Sequence, residues 1–339
     1  MKSPLRALFY GTTHEHAPSK LEALKRLRDE FEIVAVVDDS ARKSPMFRDQ
    51  SLNVEGFRIV AEKDAFEIAD IDVGFVEVTN CDLMEIAGEF AARGIPMHCD
   101  KPCGEKMDVY RSVVGMCRAG NIPMQVGYMY RTNPAVRFCW RAVREGWLGE
   151  VGFIEADMNH AYNHGNYAEY IGSFKGGILY NLGCHLVDLI EPMVKGEIRR
   201  VHTRLRSASC YGPGTRTSGT SLLEFSNAEV LIRAACEMPG GILNRRLRID
   251  GTNGTIDLCP IERFDGERLT LTMTLRHPAG GYAAGRHIID FGVQVDRYED
   301  QFRELAAIVR GESKFDSAQY DHDLKVHAMT LQMCGVEVG

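Results

Sequence analysis

The sequence predicts two fold classes in succession. A doubly wound, parallel α/β domain comes first, then an α+β domain with a large, mostly antiparallel open sheet. Three observations carry this expectation. Through residue 128, short apolar strands alternate with amphipathic helices, which implies a parallel sheet with right-handed crossovers. Beyond residue 150, strands follow one another across short turns, the pattern of antiparallel neighbours. At 339 residues, the chain is long enough for two cores.

The elements follow in order. Leu5–Tyr10 is a continuous apolar run ending at Gly11, as a strand buried on both faces would be. Ser19–Phe31 places Leu21, Leu24, Leu27 and Phe31 at helical spacing, with Ser19 and Glu22 matching a capping box. Ile33–Val37 is β-branched and apolar, and residues 40–56 lack periodicity. Strand Phe57–Ala61, a short helix near 63–69, strand Val73–Val78, helix 82–93, strand Ile95–Cys99, helix 105–119 and strand Ile122–Tyr128 complete this half. In the second half the expected strands are Phe153–Asn159, Val201–Ser207, Thr220–Phe225, Val230–Cys236, Leu247–Asp250 and Leu269–Leu275. One helix, Ile178–Pro192, precedes most of them, and helices near 297–310 and 319–334 close the chain. The expected domains are 1–127, then 128–296 with the open sheet, then closing helices over 297–339.

Composition bounds the function. The 47 acidic against 40 basic residues, a net charge of -7, argue against general nucleic-acid binding. No apolar stretch is long enough to span a bilayer, and the opening MKSPLRALFYG has too short an apolar run for a secretion signal. Ten cysteines without CxxC pairs, in a chain able to bury its own core, point to reduced thiols and a cytoplasmic location.

Four stretches carry candidate chemistry. Asp38 ends the second strand, where a dinucleotide fold holds the carboxylate that accepts the adenosine ribose hydroxyls. That charge repels the extra phosphate of NADP, so NAD is the expected cofactor; the bland reading is a solvated Asp-Asp turn. Lys101, in Cys99-Asp100-Lys101-Pro102-Cys103, follows the fifth strand at the edge where open parallel sheets bind ligands. It is placed to present an ammonium to a substrate hydroxyl, against the reading of a plain surface turn. Gly176–Asp188 sets Asn181, His185 and Asp188 at i, i+4 and i+7 of the predicted helix, and histidine suits proton exchange with an alcohol. The alternative is a histidine satisfied inside the core. The opening loop, Gly11-Thr12-Thr13-His14-Glu15-His16, lacks the second and third glycines of the dinucleotide fingerprint. The thiols of Cys99 and Cys103, and the set His14, Glu15, His16, His160 and His164, fall short of a full ligand set, so no metal is expected.

Taken together and in this order, these segments resemble the Gfo/Idh/MocA family of oxidoreductases over nearly the whole chain. Asp100-Lys101-Pro102 is similar to the family's Glu-Lys-Pro signature. Tyr128-Met129-Tyr130-Arg131-Thr132-Asn133-Pro134 resembles the entry to its second domain. Gly146–Val151 is similar to the link that follows, Gly176–Asp188 to its Gly-Gly…Asp-x-Gly-x-His-x-x-Asp pattern, and Tyr298–Gly335 to its closing helices. The resemblance implies a Rossmann domain, an open-sheet domain that assembles dimers or tetramers, and hydride transfer between a sugar, glycoside or cyclitol carbon and a nicotinamide dinucleotide. It implies that Lys101 holds the reacting hydroxyl and the nicotinamide end of the cofactor, and that His185 accepts the hydroxyl proton. Thr79 and Asn80 resemble the family's turn beside the cofactor. Tyr128, Arg131, His160, His164, Asn181 and His185 are the expected substrate contacts.

The chain departs from that pattern at Asn181, where the family commonly has aspartate; an amide orients an imidazole but supplies no charge. Met84 stands where many members carry histidine, a change read as neutral. In the glycine-poor loop, Gly11 keeps the turn while Thr12, Thr13 and His14 are expected to offer side chains to the pyrophosphate. The first helix begins near Thr13 on one reading and at Ser19 on another. The leading expectation is an NAD-dependent oxidoreductase of a sugar, glycoside or cyclitol hydroxyl. The alternatives are an enzyme that cleaves or epimerises a glycoside on recycled, tightly bound NAD, and a non-catalytic binding member of the family.

Overall fold

The computed structural model describes residues 2–42, 54–161 and 165–338. Contacts divide the chain into two compact units. One comprises the residues through Tyr128 together with Tyr298–His327; the other comprises Met129–Arg297 and Ala328–Glu337.

The first unit is built on six parallel strands: β1 (Leu5–Tyr10), β2 (Phe31–Asp38), β3 (Ile59–Ala61), β4 (Val73–Val76), β5 (Met97–Cys99) and β6 (Met124–Val126). Their order, β3-β2-β1-β4-β5-β6, is the dinucleotide-fold order, with its topological switch between β1 and β4. Helices α1 (Ala17–Arg26), α2 (Leu83–Ala92) and α3 (Met107–Gly120) make the crossovers. The apolar runs are buried as their composition demands: Ala7, Phe9, Leu21, Leu24 and Phe75 share one cluster with Phe302 and Leu305 from far along the chain. Phe75 meets the rings of Phe31 and Phe302 edge-on at centroid separations of 5.3 and 5.1 Å.

The start of α1 settles the two readings of the loop. The helix begins at Ala17 behind Pro18, so Ser19 lies inside it and forms no capping box. Phe31, expected to end the helix, instead opens β2. The region expected as a helix near 63–69 is a 3-10 helix over Glu62–Glu67.

In the second unit, α4 (Pro134–Arg144) leads into eight strands. These are β7 (Val151–Asn159), β8 (Arg200–Arg206), β9 (Ser218–Glu224), β10 (Glu229–Ala235), β11 (Arg246–Gly251), β12 (Gly254–Leu258), β13 (Arg268–Leu275) and β14 (Gly285–Val293), in the order β14-β13-β12-β11-β7-β10-β9-β8. All neighbours are antiparallel except β7 and β10, which pair in parallel from Phe153 opposite Glu229 to Asn159 opposite Ala235. Alternation along β10, β11 and β12 buries Val230, Ile232, Leu247, Ile249, Ile256 and Leu258 on one face. Helix α5 (Gly165–Gly172) comes after β7.

The predicted helix Ile178–Pro192 is two helices, α6 (Gly177–Asn181) and α7 (Gly183–Ile190), broken at Leu182. Asn181 closes one and His185 and Asp188 lie in the other, while Leu182 between them keeps right-handed helical backbone angles. Gly177 has a φ of +52°, and a Cβ there would lie 2.3 Å from the Cβ of Arg216; Ile178 N–H donates to the Arg216 carbonyl at 3.0 Å. The chain closes with α8 (Glu299–Val309) and α9 (Ala318–Met333). No helix among the described residues is long and apolar enough to cross a membrane.

Candidate active site

At the carboxyl ends of β1, β4 and β5 the first unit gathers a dense set of titratable side chains. Gly11 turns the chain out of β1 with a φ of +103°, and a Cβ there would fall 2.7 Å from the Glu77 carbonyl carbon. Only glycine makes this turn against β4. His14 N–H then donates to the Glu77 carbonyl at 3.0 Å, pinning the loop to the strand beside it.

The loop's threonines work differently from the sequence expectation. Thr12 donates to Asp39 Oδ1 through its amide at 2.6 Å and its hydroxyl at 2.9 Å, and the Thr13 hydroxyl donates to Asp39 Oδ2. Their donors are committed to a carboxylate rather than held out for a pyrophosphate. His14 is wholly buried, its Nδ1 lying 3.0 Å from Asp100 Oδ2 and its Nε2 3.2 Å from the Asn80 amide, so its ring faces inward rather than toward a phosphate. Of the adjacent acids, Asp39 is buried under the loop, while Asp38 stands exposed at the end of β2 and accepts the Ser40 N–H at 2.9 Å.

Asp100 is the hub. It accepts from Lys20 Nζ at 2.5 Å, His14 Nδ1 at 3.0 Å, His16 Nδ1 at 3.1 Å and the Lys101 amide at 2.6 Å. A carboxylate has about four acceptor positions, and here each has a donor. Burial alone would raise its pKa, but His14, Lys20 and His16 outweigh that and hold it well below the usual range. Lys20 also donates to Glu77 Oε1 at 2.8 Å and contacts His98 Nε2 at 2.9 Å. Its ammonium is therefore the cation that the buried carboxylates require. Burial raises Glu77 well above its ordinary carboxylate value despite the opposing pull of Lys20. Burial and Lys20 push His98 down to about 3; its Nδ1 meets Gln125 Oε1 at 2.9 Å, which fixes a neutral ring with its lone pair on Nε2.

Lys101 lies on the rim of this cluster, its side chain 1 % exposed and its Nζ 3.6 Å from Glu15 Oε1. Asn80 holds the backbone beneath it, donating to the carbonyls of Lys101 and Pro102 at 3.0 Å each. Thr79 donates to Asp82 Oδ2 at 2.9 Å. Tyr128 is buried at the end of the unit.

In the second unit, His160, Tyr130, Asn181 and His185 fall into one neighbourhood organised by a residue that sequence reasoning missed. Arg245 is fully buried and spends its donors on the Asn159 carbonyl (3.1 Å), Glu262 Oε1, the Tyr130 hydroxyl (3.3 Å) and His160 Nδ1 (3.1 Å). The Tyr130 ring lies 5.7 Å from that of His185, and His160 meets Tyr167 edge-on at 6.0 Å. Tyr167 donates to Asn181 Oδ1 at 2.9 Å. Arg131, expected at the substrate, gives its guanidinium to Asp188 Oδ1 at 2.9 and 2.5 Å. His164 lies outside the described residues.

Some of the missed residues left a trace in the sequence. Glu77 in the run FVEV and His98 in MHC are polar residues inside apolar parallel strands, and a buried polar residue signals a partner. Arg245 left none, since arginine before a strand is ordinary at a surface.

The architecture has a dinucleotide-fold sheet in one unit and a mostly antiparallel open sheet in the other. Residues 136–257 match the family model described as the GFO/IDH/MocA C-terminal domain. The D-apiose dehydrogenase of Paraburkholderia graminis is 26% identical over 269 residues, covering 76% of this chain and 67% of that protein. The UDP-N-acetylglucosamine 3-dehydrogenase GnnA of Acidithiobacillus ferrooxidans superposes with a TM-score of 0.75 at 15% identity, covering 99% of this chain and 98% of that one. An inositol dehydrogenase homolog from Azotobacter vinelandii, complexed with NADH and myo-inositol, superposes with a TM-score of 0.74 at 15% identity, covering 99% and 96%. The chain is thus similar to the Gfo/Idh/MocA oxidoreductases in the sequence of residues 136–257 and in its fold.

Proposed function

We propose that the protein is a nicotinamide-dinucleotide-dependent dehydrogenase of a sugar, glycoside or cyclitol hydroxyl, with Lys101 as its catalytic lysine. The observation that carries this reading is the placement of Lys101: a buried ammonium at the carboxyl edge of a dinucleotide-order sheet, with its backbone clamped by Asn80. A fixed cation there stabilises the alkoxide-like charge that develops as a hydroxyl is oxidised.

The residues fit the cofactor. Gly11 makes the close turn that a pyrophosphate approach needs, and Asp38 stands exposed at the end of β2, ready to accept ribose hydroxyls. Asp38, Asn80 and Lys101 are the residues proposed to hold the dinucleotide, which supplies the hydride acceptor when bound. The negative charge of Asp38 favours NAD over NADP. In the second unit His185, which the family resemblance places at the reacting hydroxyl, and His160, held by Arg245, are the proposed polar contacts to the substrate.

The test is oxidation of a panel of aldoses, glycosides and cyclitols with NAD or NADP, followed at the reduced-nicotinamide absorbance. Lys101→Ala is expected to abolish turnover while leaving the fold intact by circular dichroism. Undiminished turnover in that variant contradicts the role.

A further inference from the structure

We propose that in this chain the substrate's hydroxyl proton leaves through the first unit, from Lys101 to Glu15 and from Glu15 to His16. Glu15 and His16 are then relay residues acting through Lys101. The inference rests on the oxidoreductase reading above and deepens it.

The need for such a route comes from position 181. A carboxylate there would support an imidazolium at His185, whereas the Asn181 amide carries no charge, and its oxygen accepts the Tyr167 hydroxyl. In the first unit, Glu15 and His16 stand next to Lys101. Glu15 Oε1 lies 3.6 Å from Lys101 Nζ and 3.7 Å from His16 Nε2. The other nitrogen of His16 meets both Asp100 oxygens, at 3.2 and 3.1 Å. Asp100 is held ionised, so His16 Nδ1 carries the hydrogen and Nε2 presents its lone pair toward Glu15. At these separations a small side-chain rotation completes each hydrogen bond.

Exposure falls in the order that an exit path needs. The side chain of Lys101 is 1 % exposed, that of Glu15 7 % and that of His16 20 %. Asp100 is a poor proton acceptor here, because it already meets Lys20, His14, His16 and the Lys101 amide and is held well below the usual carboxylate range. The loop explains why Glu15 points this way. Its threonines are tied to Asp39 and His14 to Glu77 and Asp100, so the residue between His14 and His16 is turned toward Lys101.

The step balances as follows. The C–H bond breaks with its electron pair leaving as hydride to the nicotinamide dinucleotide, the oxidant of the reading above. The O–H bond breaks as its proton passes to Lys101 Nζ while an ammonium proton passes to Glu15 Oε1. Lys101 ends as it began. Glu15 hands the proton to His16 Nε2, which releases it to water; burial keeps the imidazole down at about 4 despite the opposing pull of Asp100, so it does not retain the proton.

The experiment uses the full chain and begins with a fluorescence titration of NADH into the wild type and an assay on the polyol panel. Absence of NADH binding there overturns the underlying reading before any variant is made. Glu15→Gln is then expected to lower kcat by about 10²-fold, the scale of a lost acid–base group. Its NADH Kd should stay within about threefold of wild type, and formate or acetate should restore part of the rate. His16→Gln is expected to lower kcat less, with recovery in imidazole. The relay is overturned by a Glu15→Gln kcat within about threefold of wild type, or by a loss that follows NADH affinity and no added acid restores. Should Glu15→Gln fail to fold, the decision falls to His16→Gln, whose unchanged kcat overturns the relay.

Discussion

The two units bury charge in opposite ways. In the first, Lys20, Glu77, His98, Asp100 and His14 are stacked at the strand ends, and the network continues outward through His16, Glu15 and Lys101. In the second, the buried pair Arg245–Glu262 serves mainly to hold Tyr130 and His160, and the position before His185 that could carry an acid is an amide. One cluster has groups poised in different protonation states, the other a fixed scaffold of donors. The difference teaches that the buried carboxylates, lysine and histidines of this chain are gathered in its dinucleotide-fold unit, while in the second unit a buried arginine fixes a tyrosine and a histidine.

The largest expected effect breaks the first cluster at its reactive end. Lys101→Met should reduce kcat by about 10³-fold or more, as loss of transition-state charge stabilisation does. Steady-state kinetics checks it, with NADH titration confirming that the cofactor still binds.

Next comes the hub. Asp100→Asn leaves Lys20 buried without its ionised partner and should cost about 3–5 kcal/mol in urea unfolding. The pH dependence gives the sign. The Asp100 pKa is depressed in the fold, so its stabilisation is present above its unfolded value of about 4 and is lost as pH falls through the lower folded value. Wild-type urea midpoints should therefore fall steeply toward pH 3, and Asp100→Asn should flatten that limb.

A smaller effect is expected from Asn181→Asp, which sharpens the contrast by giving the second unit the acid it lacks. The buried carboxylate still accepts the Tyr167 hydroxyl, and the expected cost is about 1–3 kcal/mol of stability with kcat changed by less than about threefold. A large rise in kcat would return the proton route to His185. Smallest of all is Glu77→Gln. Burial disfavours the charged form of Glu77, so a neutral amide of the same shape costs little there, and the thermal midpoint should move by only about 2 °C or less.

Much of the fold was legible because apolar runs and turn residues report burial directly. All six strands of the parallel sheet were located, since β1, β2 and β4 are covered on both faces and read as unbroken apolar stretches. Strands β12 and β14 were missed: one is a five-residue strand directly after a turn, and the other is half exposed with a weak apolar pattern. The break between α6 and α7 had a cue in Gly183, which single-helix periodicity overrode. Lys101 and His185 were legible as candidates from their surrounding motifs. The roles of Thr12, Thr13 and His14 were not, because which way a loop side chain turns depends on partners far along the chain. Asp38 and Asp39 show why: adjacent acids look alike in sequence, yet one ends a strand facing water and the other is drawn under the loop by two threonines.

The central claim is that the first unit binds a nicotinamide dinucleotide against Lys101. The most direct measurement is a fluorescence titration of NADH into the purified full chain, in parallel with Asp38→Ala. The account predicts saturable binding with a Kd on the order of 1–100 μM, weakened about tenfold or more in the variant. A folded wild-type protein that shows no binding of NADH or NADPH up to about 1 mM would contradict it.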